Sequence, residues 1–178
     1  QRGRRATRAA AEPAAAARRD RVLNVSLLSA DLGPGSTRPG YAHRELQLRS
    51  LDSGGAWGGT VYELRPGERI CPYHWHAAEE EWLLVLSGAP TLRERDGEQV
   101  LRPWDVAVFR RGEEGAHEVR NDTEETLKVL MLATRCEPEI CVYPDSGKVS
   151  AWHLAADGTL TGLRNRAENN IDYYDGEA

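Results

Sequence analysis

Short apolar runs separated by turn residues make up most of the chain from Val22 onward. The runs have strand length and none keeps a helical period, so they predict β-strands. Asp96-Gly97 between two such runs is a strong hairpin signal, and a second turn is expected at residues 144–147. The predicted strands cover residues 22–29, 60–66, 80–88, 91–103, 105–112, 116–122, 125–134, 139–145 and 148–154. Many short strands at nearly even spacing predict an all-β sandwich or barrel.

Composition divides the 178 residues into three parts. Residues 1–21 are rich in Arg and Ala, with seven Arg against two acidic residues. We expect a flexible, disordered or weakly helical leader there, and a transit peptide or a nucleic-acid arm is the alternative. Residues 22–154 are expected to form one β-barrel domain, because the length suits a single core. Residues 155–178 are expected to be a polar, irregular tail.

Two of the predicted strands are apolar on both faces. In residues 81–86, one face carries Glu81, Leu83 and Val85, and the other carries Trp82, Leu84 and Leu86. Residues 127–132 repeat this pattern. A barrel interior takes only one face of each strand, so the outer faces need a cover. We expect a homodimer packed sheet to sheet through these faces; the alternative is cover by residues before Thr60 or after Leu154 of the same chain.

Charge and cysteine content exclude several classes of protein. The net charge of −5 and the pI of about 5.6 argue against a nucleic-acid binder. No apolar run approaches the roughly 20 residues of a membrane span. The three cysteines are too few for a secreted disulfide framework, so we expect a cytoplasmic protein. Cys136 and Cys141 are expected as reduced thiols, with a bridge across a turn as the alternative.

Candidate metal ligands are concentrated in the middle of the chain. His74 and His76 are two residues apart, which places both imidazoles on one face of a strand. Glu81 follows at the start of the next strand, and His117 comes later. Three imidazoles and a carboxylate converging in a β-barrel would suit a divalent transition metal.

This stretch resembles the cupin superfamily. The first cupin motif is Gly, about five residues, His-x-His, three or four residues, Glu, six residues and Gly. Its positions are occupied here by Gly67, His74, His76, Glu81 and Gly88, with six residues between Gly67 and His74. The spacing to Gly88 selects Glu81 over Glu79 and Glu80.

The second cupin motif is matched less completely. His117 and Asn121 keep their spacing. Trp104 stands at the first glycine of the motif and Arg110 at its proline, and four residues instead of two separate Gly112 from His117. These departures loosen the turn before His117 and leave its register with Asn121 intact.

The resemblance covers roughly residues 60–148 and is greatest to single-domain bacterial cupins without an assigned activity. It implies a double-stranded β-helix, the jelly-roll barrel, with one divalent metal ion per chain. The implied ligands are His74, His76, Glu81 and His117. These ligands do not distinguish Fe, Mn, Zn, Ni and Co. Single-domain cupins often dimerise through their sheets, which agrees with the homodimer expected above.

The resemblance also implies a function. Three histidines and one carboxylate leave about two positions open on an octahedral ion, so we expect a metal-dependent enzyme acting on a small polar substrate. A dioxygenase-like oxidoreductase is favoured; an isomerase, decarboxylase or lyase is the alternative. A non-catalytic cupin that binds or senses a small molecule is the alternative from another class. A DNA-binding regulator is disfavoured, because the leader is too short for a helix-turn-helix. No catalytic acid or base is identified.

Other residues near the motifs are expected to have structural roles. His43 and His153 are not expected to be ligands. Cys71 precedes His74 by three residues; we expect an inert core thiol off the histidine face, with a ligand or redox partner as alternatives. Trp75 is expected to pack away from the histidines. The direction of three further side chains is left open: Tyr62, Glu63 and Trp104.

Overall fold

The computed structural model describes residues 25–27, 29–48, 56–155 and 159–177. Within these ranges the chain forms thirteen β-strands and short 3-10 turns at Glu113–Gly115, Pro144–Ser146 and Ala167–Asn169. The strands are β1 Gly33–Pro34, β2 Arg44–Gln47, β3 Trp57–Leu64, β4 Trp75–His76, β5 Glu81–Ser87, β6 Thr91–Glu94, β7 Gly97–Val100, β8 Val106–Phe109, β9 Glu118–Arg120, β10 Leu127–Thr134, β11 Glu139–Tyr143, β12 Lys148–Leu154 and β13 Leu160–Arg166. Among the described residues, no helix is long and apolar enough to cross a membrane.

The strands form three antiparallel sheets. The largest has the order β1-β2-β3-β10-β5-β8, the second β13-β12-β11-β4 and the third β7-β6-β9. Strand β10 pairs with both β3 and β5 and lies between them. From β3 to β8, strands that are neighbours in this sheet are therefore not consecutive in the chain, and crossover connections join them. This is the all-β jelly-roll barrel that the cupin motifs implied.

One apolar core fills the barrel interior. It joins residues of the large sheet to residues of the three-stranded sheet: Leu64, Leu83, Val85, Phe109, Leu127, Val129 and Met131 on the first side, and Leu92 and Val119 on the second. These residues alternate along each strand, as a strand with one face inside a barrel requires. The alternation in β5 therefore predicts its interior face correctly, whereas residues 127–132 are apolar on both faces and leave the interior face of β10 open.

A second apolar cluster covers part of the outer face of the large sheet. Leu32 is buried there with Val61 and Leu130, and further residues pack against them: Leu27, Ala30, Leu46, Leu48, Leu84, Leu86 and Leu132. Residues before Thr60 thus cover Leu84 and Leu86 within one chain, which was the alternative to a dimer. Trp82 stays 39% exposed beside Val106 and Val108 of the edge strand β8. The expected dimer contact is thereby reduced to the β5–β8 edge, and the dimer stays a prediction.

Two features of the cupin motifs have structural explanations. Trp104, at the position of a motif glycine, has a φ of +76° and is exposed, so the turn keeps the left-handed conformation without the glycine. Asn121 is buried and fixes the turn after β9: its amide donates to the Leu64 and Glu125 carbonyls at 3.0 and 2.7 Å, and its oxygen accepts from Thr123 N at 3.0 Å. These bonds fix the backbone after β9, which gives a structural reason for an Asn four residues after His117, as in the second cupin motif.

Three expectations about chain organisation differ from the structure or lie outside it. The strand expected at 22–29 is wrong in its described part, since Val25, Ser26, Leu27 and Ser29 are coil or turn. The prediction of an irregular tail is wrong for residues 160–166, because β13 pairs with β12 there over seven residues. Strand β13 is exposed on both faces, so its sequence lacks the apolar alternation that marks a strand. The leader at 1–21 lies outside the described residues.

Candidate metal site

Four side chains meet inside the barrel. His74 Nε2 lies 3.1 Å from His76 Nε2. Glu81 Oε2 lies 3.3 Å from His76 Nε2 and 3.2 Å from His117 Nε2. The structure therefore brings together all four residues that the motifs singled out, and places Glu81 rather than Glu80 in this cluster.

Backbone pairing fixes where these side chains point. His74 and His117 exchange two backbone hydrogen bonds, at 3.1 and 2.9 Å, in an isolated antiparallel bridge. His76 lies in β4, opposite Cys141 of β11. Glu81 is the first residue of β5, and its side chain shares the interior face with Leu83. Residues far apart in sequence thus supply one cluster.

Two of the histidines have their tautomer set by main-chain carbonyls. His74 Nδ1 donates to the Pro72 carbonyl at 2.9 Å, and His117 Nδ1 donates to the Gly115 carbonyl at 2.9 Å. A carbonyl can only accept, so the proton is on Nδ1 and the Nε2 lone pair is available. This is the arrangement by which proteins orient histidine ligands of metals.

The third histidine lies against a buried carboxylate that the cupin motifs do not contain. His76 Nδ1 lies 3.4 Å from Glu139 Oε1 and 3.9 Å from Glu79 Oε2. Glu139 is fully buried and also accepts from Ala77 N at 3.1 Å. Alternation along β11 puts Glu139 on the same face as the buried Cys141, and this pattern could have indicated that Glu139 points into the barrel.

Burial and the neighbouring charges shift the pKa values of the cluster. Burial raises the pKa of Glu81, but the neighbouring His117 and His76 imidazoles outweigh burial and hold it well below its usual range. Burial, with His117 and His76 nearby, lowers the pKa of His74 to about 3. Burial lowers the pKa of His76, yet Glu139 and Glu81 raise it to about 10.

The cluster leaves polar atoms without partners. Glu81 Oε2, His117 Nε2 and His76 Nδ1 are buried and lack a hydrogen bond within the described part of the chain. Buried polar atoms are normally satisfied, so such a group indicates a site for a ligand or ion. Glu81 Oε2 lies beside the Nε2 atoms of His76 and His117, and these donors fit a divalent transition ion.

Two other groups of donors overlap this cluster. His74, His76 and Cys141 lie within 4.8 Å of one another, as do His76, Glu79 and Glu139. Burial raises the pKa of Cys141 to about 12. The group of His74, Glu81 and His117 contains two buried atoms without a hydrogen bond, His117 Nε2 and Glu81 Oε2, so it offers the better metal site.

A cavity of about 190 Å³ surrounds the four side chains. Its remaining lining is Tyr62, Ile70, Cys71, Val119 and Met131. The expectation that Cys71 lies off the histidine face is wrong, because residues 70–73 are bends rather than a strand. Cys71 Sγ lies 3.5 Å from His74 Nδ1, and burial raises the pKa of the thiol.

The remaining candidates lie away from this cavity. His43 pairs with Glu45 at 3.2 Å, and His153 is exposed on β12. Trp75 pairs with Val142 in the sheet. Glu63 bonds Arg44 at 3.3 Å on the outer surface, which leaves Tyr62 as the nearby residue that enters the cavity.

Comparisons with known proteins agree with this geometry. The Cupin_2 family, described as a cupin domain, matches residues 60–133. No curated protein matches the sequence. A sugar phosphate isomerase of the cupin superfamily from Silicibacter pomeroyi is similar in structure, with a TM-score of 0.70 and 24% identity over 86% of this chain and 98% of that chain.

Two further structures share the fold. The polyketide cyclase RemF from Streptomyces resistomycificus has a TM-score of 0.54 and 22% identity over 67% of this chain and 84% of that chain. A predicted oxalate decarboxylase from Thermotoga maritima has a TM-score of 0.52 and 18% identity over 64% of this chain and 100% of that chain. These similarities concern the fold. Together with the family match, they show that residues 60–133 match a cupin domain and that the described chain has the cupin fold.

Proposed function

We propose that the protein is a metal-dependent enzyme for a small polar substrate, with His74, His76, Glu81 and His117 holding one divalent ion. The observation that carries this proposal is the meeting of three Nε2 atoms and Glu81 Oε2, two of them buried without a hydrogen bond. Binding a cation would satisfy these atoms and offset the buried carboxylate charge.

The bound ion would supply Lewis-acid chemistry, polarising substrate oxygens. His74 and His117 each donate from Nδ1, to the Pro72 and Gly115 carbonyls, which turns their Nε2 atoms toward the ion. Glu81 supplies negative charge, since its pKa is held low by His117 and His76 against the effect of burial. Glu81 thus acts as a ligand and not as a general base.

Tyr62 is the candidate for a direct contact with substrate. It lines the cavity beside the four ligands, and burial raises the pKa of its phenol well above the usual value. The phenol therefore stays protonated and can donate a hydrogen bond to a substrate oxygen. Ile70, Val119 and Met131 line the same cavity and limit the water that reaches it.

Isomerisation of a hydroxy-carbonyl compound is the reaction we propose first. It needs a polarised carbonyl and the transfer of protons between neighbouring carbons, and no oxidant. The similar Silicibacter pomeroyi protein bears the name sugar phosphate isomerase, which supports this choice. Oxidation by dioxygen is the second candidate, because the donor set of three histidines and one carboxylate leaves two coordination positions for substrate and oxygen.

A paired assay tests the proposal. Protein purified without chelator is analysed for metal and then tested for isomerisation of hydroxy-carbonyl substrates and for oxygen consumption with diketones, catechols and thiols. We expect about one ion per chain and turnover that His76→Ala abolishes, while His153→Ala keeps both. Full metal content in His76→Ala contradicts the ligand assignment. One ion without any turnover favours the binding or sensing cupin instead.

We also propose that the protein is cytoplasmic, has no nucleic-acid partner and forms a homodimer. The acidic charge supports the absence of a nucleic-acid partner, and the few cysteines, all unpaired, support a reducing compartment. The apolar side chains at the β5–β8 edge support the homodimer.

A further inference from the structure

A second hollow adjoins the metal cavity. Its volume is about 240 Å³, and it shares Tyr62, Glu81 and Met131 with the cavity of about 190 Å³ around the histidines. The other lining residues are Gln47, Gly58, Gly59, Thr60, Glu79, Ala133, Thr134 and Arg135. Together the two spaces reach the size of small-molecule sites, which is about 300–1,000 Å³.

The strand pattern explains why this hollow exists. Gly58 of β3 pairs with Ala133 of β10, and Ala133 pairs with Glu81 of β5. These three positions end the interior faces of three neighbouring strands. Thr60, Tyr62 and Met131 follow on the same faces with larger side chains. The small residues at the strand ends therefore leave an open space directly above the Glu81 ligand.

Arg135 lies at the rim of this space. Its backbone N–H donates to the Ala56 carbonyl at 2.9 Å. A Cβ placed on Gly58 would lie 3.7 Å from both Cγ and Nε of Arg135, so the half-buried side chain passes over Gly58. Among the described residues that line either space, Arg135 is the one Arg or Lys.

We propose that this hollow is a subsite for the anionic end of the substrate, with Arg135 as the residue that selects it. The inference rests on the proposed metal-dependent function. A guanidinium offers paired donors that match a phosphate or carboxylate. The ligand class is a short hydroxylated chain whose vicinal oxygens face the metal site and whose phosphate or carboxylate faces Arg135.

Glu79 and Gln47 complete the rim and restrict what binds beside the anion. Glu79 Oε1 accepts from Cys136 N at 3.4 Å. The Glu79 carboxylate and the Gln47 amide suit hydroxyl groups, and the carboxylate would repel a second anionic group near it. The subsite thus favours one anionic end on an otherwise neutral, hydroxylated chain.

The test uses the full chain loaded with Co(II). Uptake of Co(II) is measured first, and visible absorption is then titrated with three probes: sn-glycerol 3-phosphate, 3,4-dihydroxybutyrate and glycerol. We expect both anions to bind more tightly than glycerol, and the stronger of them identifies phosphate or carboxylate. Arg135→Gln should weaken the anions about 10- to 100-fold, from the usual strength of a hydrogen bond to a charged group, and leave glycerol within about twofold.

Three further variants separate this role from a structural one. Arg102→Gln, at an exposed position near the opposite end of β5, should change nothing. Arg135→Lys should recover part of the anion affinity, because it keeps the charge. Ala133→Leu should fill the hollow and weaken all three probes without changing Co(II) uptake.

Three results distinguish failure of this inference from failure of the proposed function. Normal Co(II) uptake with anion affinity unchanged in both Arg135 variants overturns the subsite alone. So does an equal loss of glycerol and anion affinity in Arg135→Gln. No Co(II) uptake by the unaltered protein overturns the metal-dependent function, and the subsite with it.

Discussion

Replacing Glu139 by Gln tests whether Glu139 orients His76 and sets its tautomer for metal binding. The carboxylate is fully buried and lies 3.4 Å from His76 Nδ1. Gln keeps the shape and an oxygen for the Ala77 N–H bond, but removes the charge. Its NH2 group can face Nδ1, which favours the tautomer with the proton on Nε2. That proton would block the nitrogen that lies 3.1 Å from His74 Nε2 and 3.3 Å from Glu81.

The expected size of the effect follows from this contact. Loss of a partner that orients a histidine ligand typically lowers metal affinity about 10- to 100-fold. That range corresponds to about 1.4–2.8 kcal/mol of binding free energy. His74 and His117 keep their carbonyl partners in the variant, so binding should weaken and not vanish.

Competition with a chromophoric chelator measures the affinity of the variant for Zn(II) or Co(II). Glu80→Gln is the matched control, because Glu80 lies one residue from Glu81 and bonds Trp82 Nε1 at 3.0 Å, away from His76. The melting temperatures of the metal-free variants, compared with that of the metal-free unaltered protein, show whether either substitution destabilises the fold. Affinity within about twofold of the unaltered protein, in a folded Glu139→Gln variant, would refute the orienting role.

Three other outcomes are expected. Chelation should lower the melting temperature by roughly 5–11 °C, since metal at 100 times its dissociation constant contributes about 2.7 kcal/mol; unchanged melting after verified metal removal would contradict a native-state metal. Asn121→Ala should lower the free energy of unfolding by about 1–3 kcal/mol in urea denaturation, because the buried Leu64 carbonyl and the partly buried Glu125 carbonyl lose their donor, and an effect below about 0.5 kcal/mol would refute its structural role. Light scattering should give about twice 19.8 kDa and Trp82→Glu should reduce it to the monomer mass, whereas a monomeric unaltered protein would exclude the dimer.

The interior of the barrel was predictable because alternation and motif spacing report on it directly. Leu83, Val85, Val129 and Met131 each alternate with outer residues, and the structure places them in one core. The spacing from Glu81 to Gly88 reflects a steric requirement: a Cβ on Gly88 would lie 2.4 Å from Leu127 Cβ. The spacing to Gly88 therefore predicted which of the three consecutive glutamates lies in the site.

Features that depend on contacts between distant segments were predictable only in part. Alternation places Glu139 on the face of Cys141, but Glu139 is separated from His76 by more than sixty residues and no local pattern pairs the two. The cover of Leu84 and Leu86 by Leu32 and its neighbours is likewise a tertiary contact. The position of Cys71 was predicted wrongly, because residues 70–73 bend and strand parity does not apply to them.

X-ray diffraction at the absorption edge of the bound metal, on protein purified without chelator, tests the central claim most directly. One anomalous peak per chain is expected within roughly 2.0–2.3 Å of four atoms: His74 Nε2, His76 Nε2, Glu81 Oε2 and His117 Nε2. An ion held instead by Cys141, or by Glu79 and Glu139, would contradict the assignment, as would a peak-free cavity in protein that retains its metal.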